Sequence, residues 1–142
     1  MTLYYRDGYE GQVAETYTIQ LPRQLHPPQD IQTEFINLSQ DGLLVILSGY
    51  AWDFGSGPTL DFRYFPGYKK ARLPTLVHDA LCQLHRNGYL DGIDRPRYHS
   101  DRFFYDLLRE RKFWKPRARL WYRGVRIGSI NPQEPKPILE AP

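Results

Sequence analysis

The sequence predicts an α+β fold: a small antiparallel sheet, then a Gly-rich loop, then two to three helices of which the main two are antiparallel. Three observations predict it. The first fifty residues place alternating or continuous apolar runs between turn signals. Residues 48–59 then carry three glycines and a proline among aromatics. After Pro74, apolar residues recur at helical spacing. A chain of 142 residues has room for one domain with a modest core, and that domain is assigned to residues 1–130. Residues 131–142 form a proline-rich tail with little to bury, expected to be extended or disordered.

The elements follow in order. Tyr17-Thr18-Ile19-Gln20-Leu21 alternates as a strand does, and Pro22 and Pro27-Pro28 end it. Ile31 to Leu38, the Asp41-Gly42 turn and Leu43 to Leu47 read as a hairpin, because Asp-Gly supplies the positive φ of a tight reversal. The aliphatic run at Leu43–Leu47 predicts a second strand buried on both faces. Ser48 to Thr59 is too rich in glycine for a regular element. Its aromatics can pin it down, which predicts a rigid loop with backbone groups free to bind.

Pro74 opens a helix on which Val77, Ala80, Leu81 and Leu84 form one stripe, closed by Asn87-Gly88. A second helix is expected from about Pro96 to Lys112, with Phe103, Phe104, Leu107 and Leu108 on one face. A third, shorter one is expected from Pro116, ending before Gly128.

Composition narrows the function. The longest aliphatic run, Leu43–Leu47, is far too short to cross a bilayer, and the N-terminal residues do not read as a signal peptide. A single cysteine, Cys82, excludes an intramolecular disulfide framework and a cysteine-rich zinc site, and fits a reducing compartment. The net charge of +3 is unevenly spread. Between Arg95 and Arg126 there are eleven Lys or Arg against Asp101, Asp106 and Glu110. Such a face either attracts phosphate or is an ordinary solvated helix surface. Arg117, Arg119 and Arg123 are its candidate phosphate- or partner-binding residues. No nucleic-acid reading motif accompanies them, which argues against nucleic acid as the partner.

His78-Asp79 lies in the middle of the first helix. At about 100° per residue the two side chains point apart, so they cannot be bonded to each other. If the two main helices pack antiparallel, Asp101 can reach His78 along the rim of their interface. A carboxylate there fixes the tautomer of an imidazole and stabilises its charged form, as a general base requires. The same residues could equally be a satisfied boundary histidine and a surface acid. Asp79 is left to face the glycine-rich loop, where Asp53 adds a second carboxylate. Two carboxylates with backbone carbonyls are hard oxygen ligands, suited to calcium and far less to zinc.

Three blocks together resemble a known family. They are Gly49-Tyr50-Ala51-Trp52-Asp53 with Ser56-Gly57-Pro58, then Leu76-Val77-His78-Asp79-Ala80-Leu81, then Arg97 and Asp101 with Phe104. They are similar to small phage and prophage proteins grouped as domain of unknown function 1353, over roughly residues 30 to 127. That resemblance implies a viral origin, and a place in the virion or the host cytoplasm.

Residues 50 to 108 also look distantly like the phospholipase A2 superfamily, particularly its bacterial members. That likeness implies a calcium-dependent esterase. Asp53, the Phe54 carbonyl and Asp79 would bind calcium, on a loop supported by Trp52, Gly55 and Gly57. His78 would be the base and Asp101 its orienting partner. Where that superfamily has a tyrosine four residues after the histidine, this chain has Cys82, and Tyr105 would stand in to bond Asp101. The substrate expected is lipid, and the expected partner a lipid surface or other virion proteins. The competing expectation is a tail or neck component of the virion whose His/Asp cluster only braces the fold.

Overall fold

A computed structural model describes residues 5–6, 11–52 and 72–130, with side chains for 12–52 and 72–126. Among the described residues, seven short strands precede three α-helices. The strands are β1 (Tyr5–Arg6), β2 (Gly11–Val13), β3 (Tyr17–Gln20), β4 (Ile31–Gln32), β5 (Ile36–Leu38), β6 (Leu43–Ile46) and β7 (Ala51–Trp52). The helices are α1 (Arg72–Arg86), α2 (Pro96–Glu110) and α3 (Lys115–Ile130). The fold class is α+β, with two small antiparallel sheets, ordered β1-β2-β7 and β3-β6-β5-β4.

The Asp41-Gly42 reversal joins β5 to β6, which pair from Ile36 opposite Ile46 to Leu38 opposite Leu44. Gly42 has φ +83°, and a Cβ there would sit 2.2 Å from the His26 ring. The left-handed backbone favours glycine, and any side chain there would also have to displace the His26 ring. The stretch from Ile31 to Leu38 is two strands, not one. Thr33 breaks it, its hydroxyl donating to the Ile36 carbonyl at 2.7 Å and accepting from the Ile36 N–H at 3.0 Å.

β6 differs from the expectation of burial on both faces. Leu44 and Ile46 are buried, Val45 is half-buried and Leu43 is exposed, so the strand alternates and presents one face to the core. An aliphatic run reports hydrophobicity without saying which face is covered.

α1 places Pro74 in its first turn, where a missing N–H costs no hydrogen bond. Gly88, at φ +81°, follows its end, and the Tyr89 N–H reaches back to the Leu84 carbonyl at 3.0 Å. The connection buries Leu90 and Ile93 and returns the chain as α2, which packs antiparallel on α1.

α3 is the second departure. It was expected to be the shorter helix, ending before Gly128, and instead runs sixteen residues through that glycine. Glycine weakens a helix by about 1 kcal/mol relative to alanine without stopping it, and burial of Ala118, Trp121 and Val125 against Phe104, Leu108 and Phe113 compensates. The larger core lies between the sheets and α1, where Leu44, Ile46, Tyr50, Leu76, Leu81 and Leu84 are fully buried. No helix among the described residues is long and apolar enough to cross a membrane.

Candidate functional site

α1 and α2 meet along a rim that carries His78 and Asp101. His78 Nε2 lies 2.6 Å from Asp101 Oδ1, joining residues 23 apart in sequence. A carboxylate can only accept, so Nε2 carries the proton and Nδ1 is the nitrogen left for other work. The His78 side chain is 11% exposed and Asp101 is fully buried. The Phe104 ring, one turn after Asp101, packs at 5.1 Å from the imidazole and covers its other flank.

A buried carboxylate is stable only when paired and hydrogen-bonded. Asp101 accepts three such bonds, from three helices. Besides His78 on α1, Arg97 Nε on α2 donates to Oδ1 at 3.0 Å, and Arg126 Nη1 on α3 donates to Oδ2 at 2.8 Å. Arg97 Nη2 also donates to the Val125 carbonyl at 3.1 Å, so the same guanidinium fixes α3. The Arg126 guanidinium lies over the Tyr98 ring at 5.5 Å.

Cys82 stands one helical turn after His78. Its Sγ is 3.6 Å from Nδ1 and 3.8 Å from Nε2. Near-equal distances mean that the sulfur lies off the axis of either ring nitrogen and packs on the imidazole. The electrostatics are coupled. Burial opposes a charged His78, but Cys82 and the hydrogen bond to Asp101 outweigh it, and the pKa is raised from 6.5 to about 9. Burial likewise pushes the Cys82 thiol up, and the His78 imidazolium with Arg97 draws it down by more, so it titrates below its ordinary range.

Asp79 does other work, as helical geometry requires. Its Oδ2 accepts from the hydroxyl of fully buried Tyr50 at 2.5 Å. Tyr50 immediately precedes β7, so Asp79 faces the strand that leads into Asp53. Burial and the adjacent Asp79 carboxylate hold the Tyr50 hydroxyl well above its ordinary pKa, and it remains a donor.

The remaining candidates divide into three groups. Trp52 is buried at the end of β7. Asp53, Phe54, Gly55 and Gly57, the rest of the expected calcium loop, lie outside the described residues, as does the tail at 131–142. Tyr105 turns its ring edge-on to Tyr122 at 5.8 Å, and the donors to Asp101 are Arg97 and Arg126 in its place. On α3, Arg119 and Arg123 are exposed and Arg117 is half-buried. The helix has five cationic residues and no acidic one, and exposed Trp114 precedes it.

Among the described residues no group of three or more His, Cys, Asp or Glu could hold a metal ion by itself. Four contributors were not singled out from sequence as partners of the dyad or of Asp79: Tyr50, Cys82, Arg97 and Arg126. Cys82 was legible in principle, since i, i+4 residues on a helix are neighbours. Arg126 and Tyr50 were not, because they reach the site only through tertiary packing.

The family model described as "Protein of unknown function (DUF1353)" matches residues 30–125, which contain Tyr50, His78, Cys82 and Asp101. No curated protein and no solved structure matches the chain.

Proposed function

Taking as premise that this chain belongs to the DUF1353 family of unknown function, we propose that it is a phage-encoded, calcium-dependent hydrolase of lipid carboxylic esters, of the phospholipase A2 type. The observation that carries this reading is the 2.6 Å contact of His78 Nε2 with buried Asp101. It fixes one tautomer, and a water brought to Nδ1 would be the group from which His78 takes a proton. His78 removes a proton from that water as it attacks the ester carbonyl, and Asp101 steadies the resulting imidazolium. Because the imidazole titrates at about 9, the base form grows as pH rises toward that value.

Asp79, Asp53 and the Phe54 carbonyl would hold calcium, with Gly55 and Gly57 giving the loop backbone its freedom and Trp52 fixing where it begins. The donor set fits a hard cation, being all oxygen, and Asp79 is directed by Tyr50 to the strand preceding Asp53. A bound calcium ion would polarise the ester carbonyl. The cationic face with Arg117, Arg119 and Arg123 would draw an anionic headgroup surface. The phage origin rests on the likeness of the three sequence blocks.

The test is hydrolysis of mixed phospholipid vesicles with calcium present. His78→Ala should abolish it with the fold intact, and a chelator should abolish it reversibly. Hydrolysis surviving either treatment removes the mechanism.

A specific observation favours a second reading, a virion component braced by this cluster. Asp101 is completely buried and ties three helices through His78, Arg97 and Arg126, as a structural keystone would. Stoichiometric recovery of the chain with purified virions, with no hydrolysis by the free protein, would establish that reading instead.

A further inference from the structure

Asp101 faces two guanidinium groups and can neutralise one. Arg97 Nε and Arg126 Nη1 donate to its two oxygens, and a guanidinium keeps its charge at any pH at which a protein stays folded. A third guanidinium stands beside them. That of Arg95, in the turn before α2, lies 4.3 Å from the centroid of the Tyr98 ring, and that of Arg126, on α3, lies 5.5 Å from the same centroid. Each is within the reach of cation–π attraction, so one tyrosine gathers like charges from two elements that would otherwise repel.

Among the described residues no second carboxylate answers them. The first turn of α2 has no acidic residue, and exposed Asp94 forms no ion pair. Cations are also misplaced there for structure alone, because the start of a helix is the positive end of its dipole. Arg95 occupies the N-cap itself at φ 51° and ψ 54°, a left-handed conformation that L side chains rarely adopt, and its side chain caps nothing. Local rules broken together in this way are expected where a ligand uses the arrangement. Solvent reaches these groups, unlike the dyad: Arg95 is exposed, and the Arg126 side chain is 34% exposed.

We propose that Arg95 and Arg126 hold a phosphate group between them, at the rim of the α2–α3 contact beside Asp101. A planar carboxylate is filled by one guanidinium fork, whereas a tetrahedral phosphate offers oxygens to two forks arriving from different directions. Arg126 is set in place by Asp101 and Tyr98, and Arg95, long and exposed, closes on the anion. Arg97 adds charge without contact, since it is engaged by Asp101 and the Val125 carbonyl. The phosphate is either soluble or carried by a lipid headgroup, and two arginines meet the same chemistry in both. The site needs neither calcium nor ester cleavage, so it goes beyond the hydrolase reading and does not rest on it.

Calorimetry of the full chain with inorganic phosphate, in chelator and at constant ionic strength, tests the site. The expected result is saturable binding of one phosphate per chain, weakened about tenfold by Arg95→Gln. Arg111→Gln, which removes the same charge beyond the far end of α2, should leave it unchanged. Equal weakening by both variants, or phosphate bound no better than chloride, overturns the proposal. Should Arg95→Gln fail to fold, modification of the native protein by phenylglyoxal decides: phosphate protecting Arg95 supports the site, and no protection overturns it. Vesicles of phosphatidylglycerol in phosphatidylcholine then separate the two sources. Vesicle binding that Arg95→Gln weakens supports a headgroup phosphate, and vesicle binding indifferent to Arg95, with inorganic phosphate still sensitive to it, supports a soluble one. Phosphate held by a chain that hydrolyses no lipid supports the site while the hydrolase reading fails alone. Lipid hydrolysis by a chain that binds no phosphate overturns the site alone.

Discussion

Arg126 Nη1 and Asp101 Oδ2 meet at 2.8 Å across 25 residues of sequence, so the last helix is pinned to the carboxylate that holds the histidine of the first. Loss of that carboxylate strips its partner from two guanidinium groups and an imidazole at once. Asp101→Ala should therefore cost about 3–5 kcal/mol, read as a shift in the urea midpoint. Arg126→Ala should cost much less, since its side chain is 34% exposed and water screens what remains.

The His78 pKa, raised from 6.5 to about 9, makes stability depend on pH. A group bound more tightly when protonated contributes fully below its unfolded value and loses that contribution as pH rises through its folded value. The contribution of His78 should be complete below about pH 6.5 and decline to nothing above about pH 9. Comparing the Tm of the native chain with that of His78→Gln across this window checks the sign. A gap that widens with rising pH contradicts it.

Tyr50→Phe keeps the buried ring and removes only the donor to Asp79. A hydrogen bond to a charged acceptor contributes about 1.5 kcal/mol. A loss of that order in chemical denaturation, together with weaker calcium binding by calorimetry, is expected if Asp79 must be aimed at the loop. Unchanged calcium affinity would separate Tyr50 from the metal.

Gly42→Ala should destabilise by about 1–2 kcal/mol from its left-handed backbone alone, and by more because its Cβ would strike the His26 ring at 2.2 Å. Adding His26→Ala should recover the steric part and leave the backbone part. A double-mutant cycle measures the two separately.

Reversing charge at the exposed positions with Arg119→Glu and Arg123→Glu should weaken binding to anionic vesicles at least tenfold at low salt, about 1.4 kcal/mol, and leave zwitterionic vesicles unaffected. Trp114, 72% exposed while Trp52 and Trp121 are buried, gives the fluorescence signal. A response unchanged by raised salt would rule out charge as the attraction.

Periodicity carries what is local. Three helices, the Asp-Gly hairpin, the caps at Pro74 and Gly88, and the divergence of His78 from Asp79 were all legible, because each depends on φ preference or on about 100° of rotation per residue. The reach of Asp101 to His78 was legible as a possibility, conditional on two helices packing antiparallel. Tertiary structure decided the rest. Which face of β6 is covered, whether Gly128 stops a helix, and which groups neutralise Asp101 depend on residues distant in sequence. Arg126 and Tyr50 became partners of the site only because burying a carboxylate demands donors and packing brought them within reach. The physical reason is that local geometry sets the direction of a side chain, whereas its partner and its proton affinity are set by whatever the closed core leaves beside it.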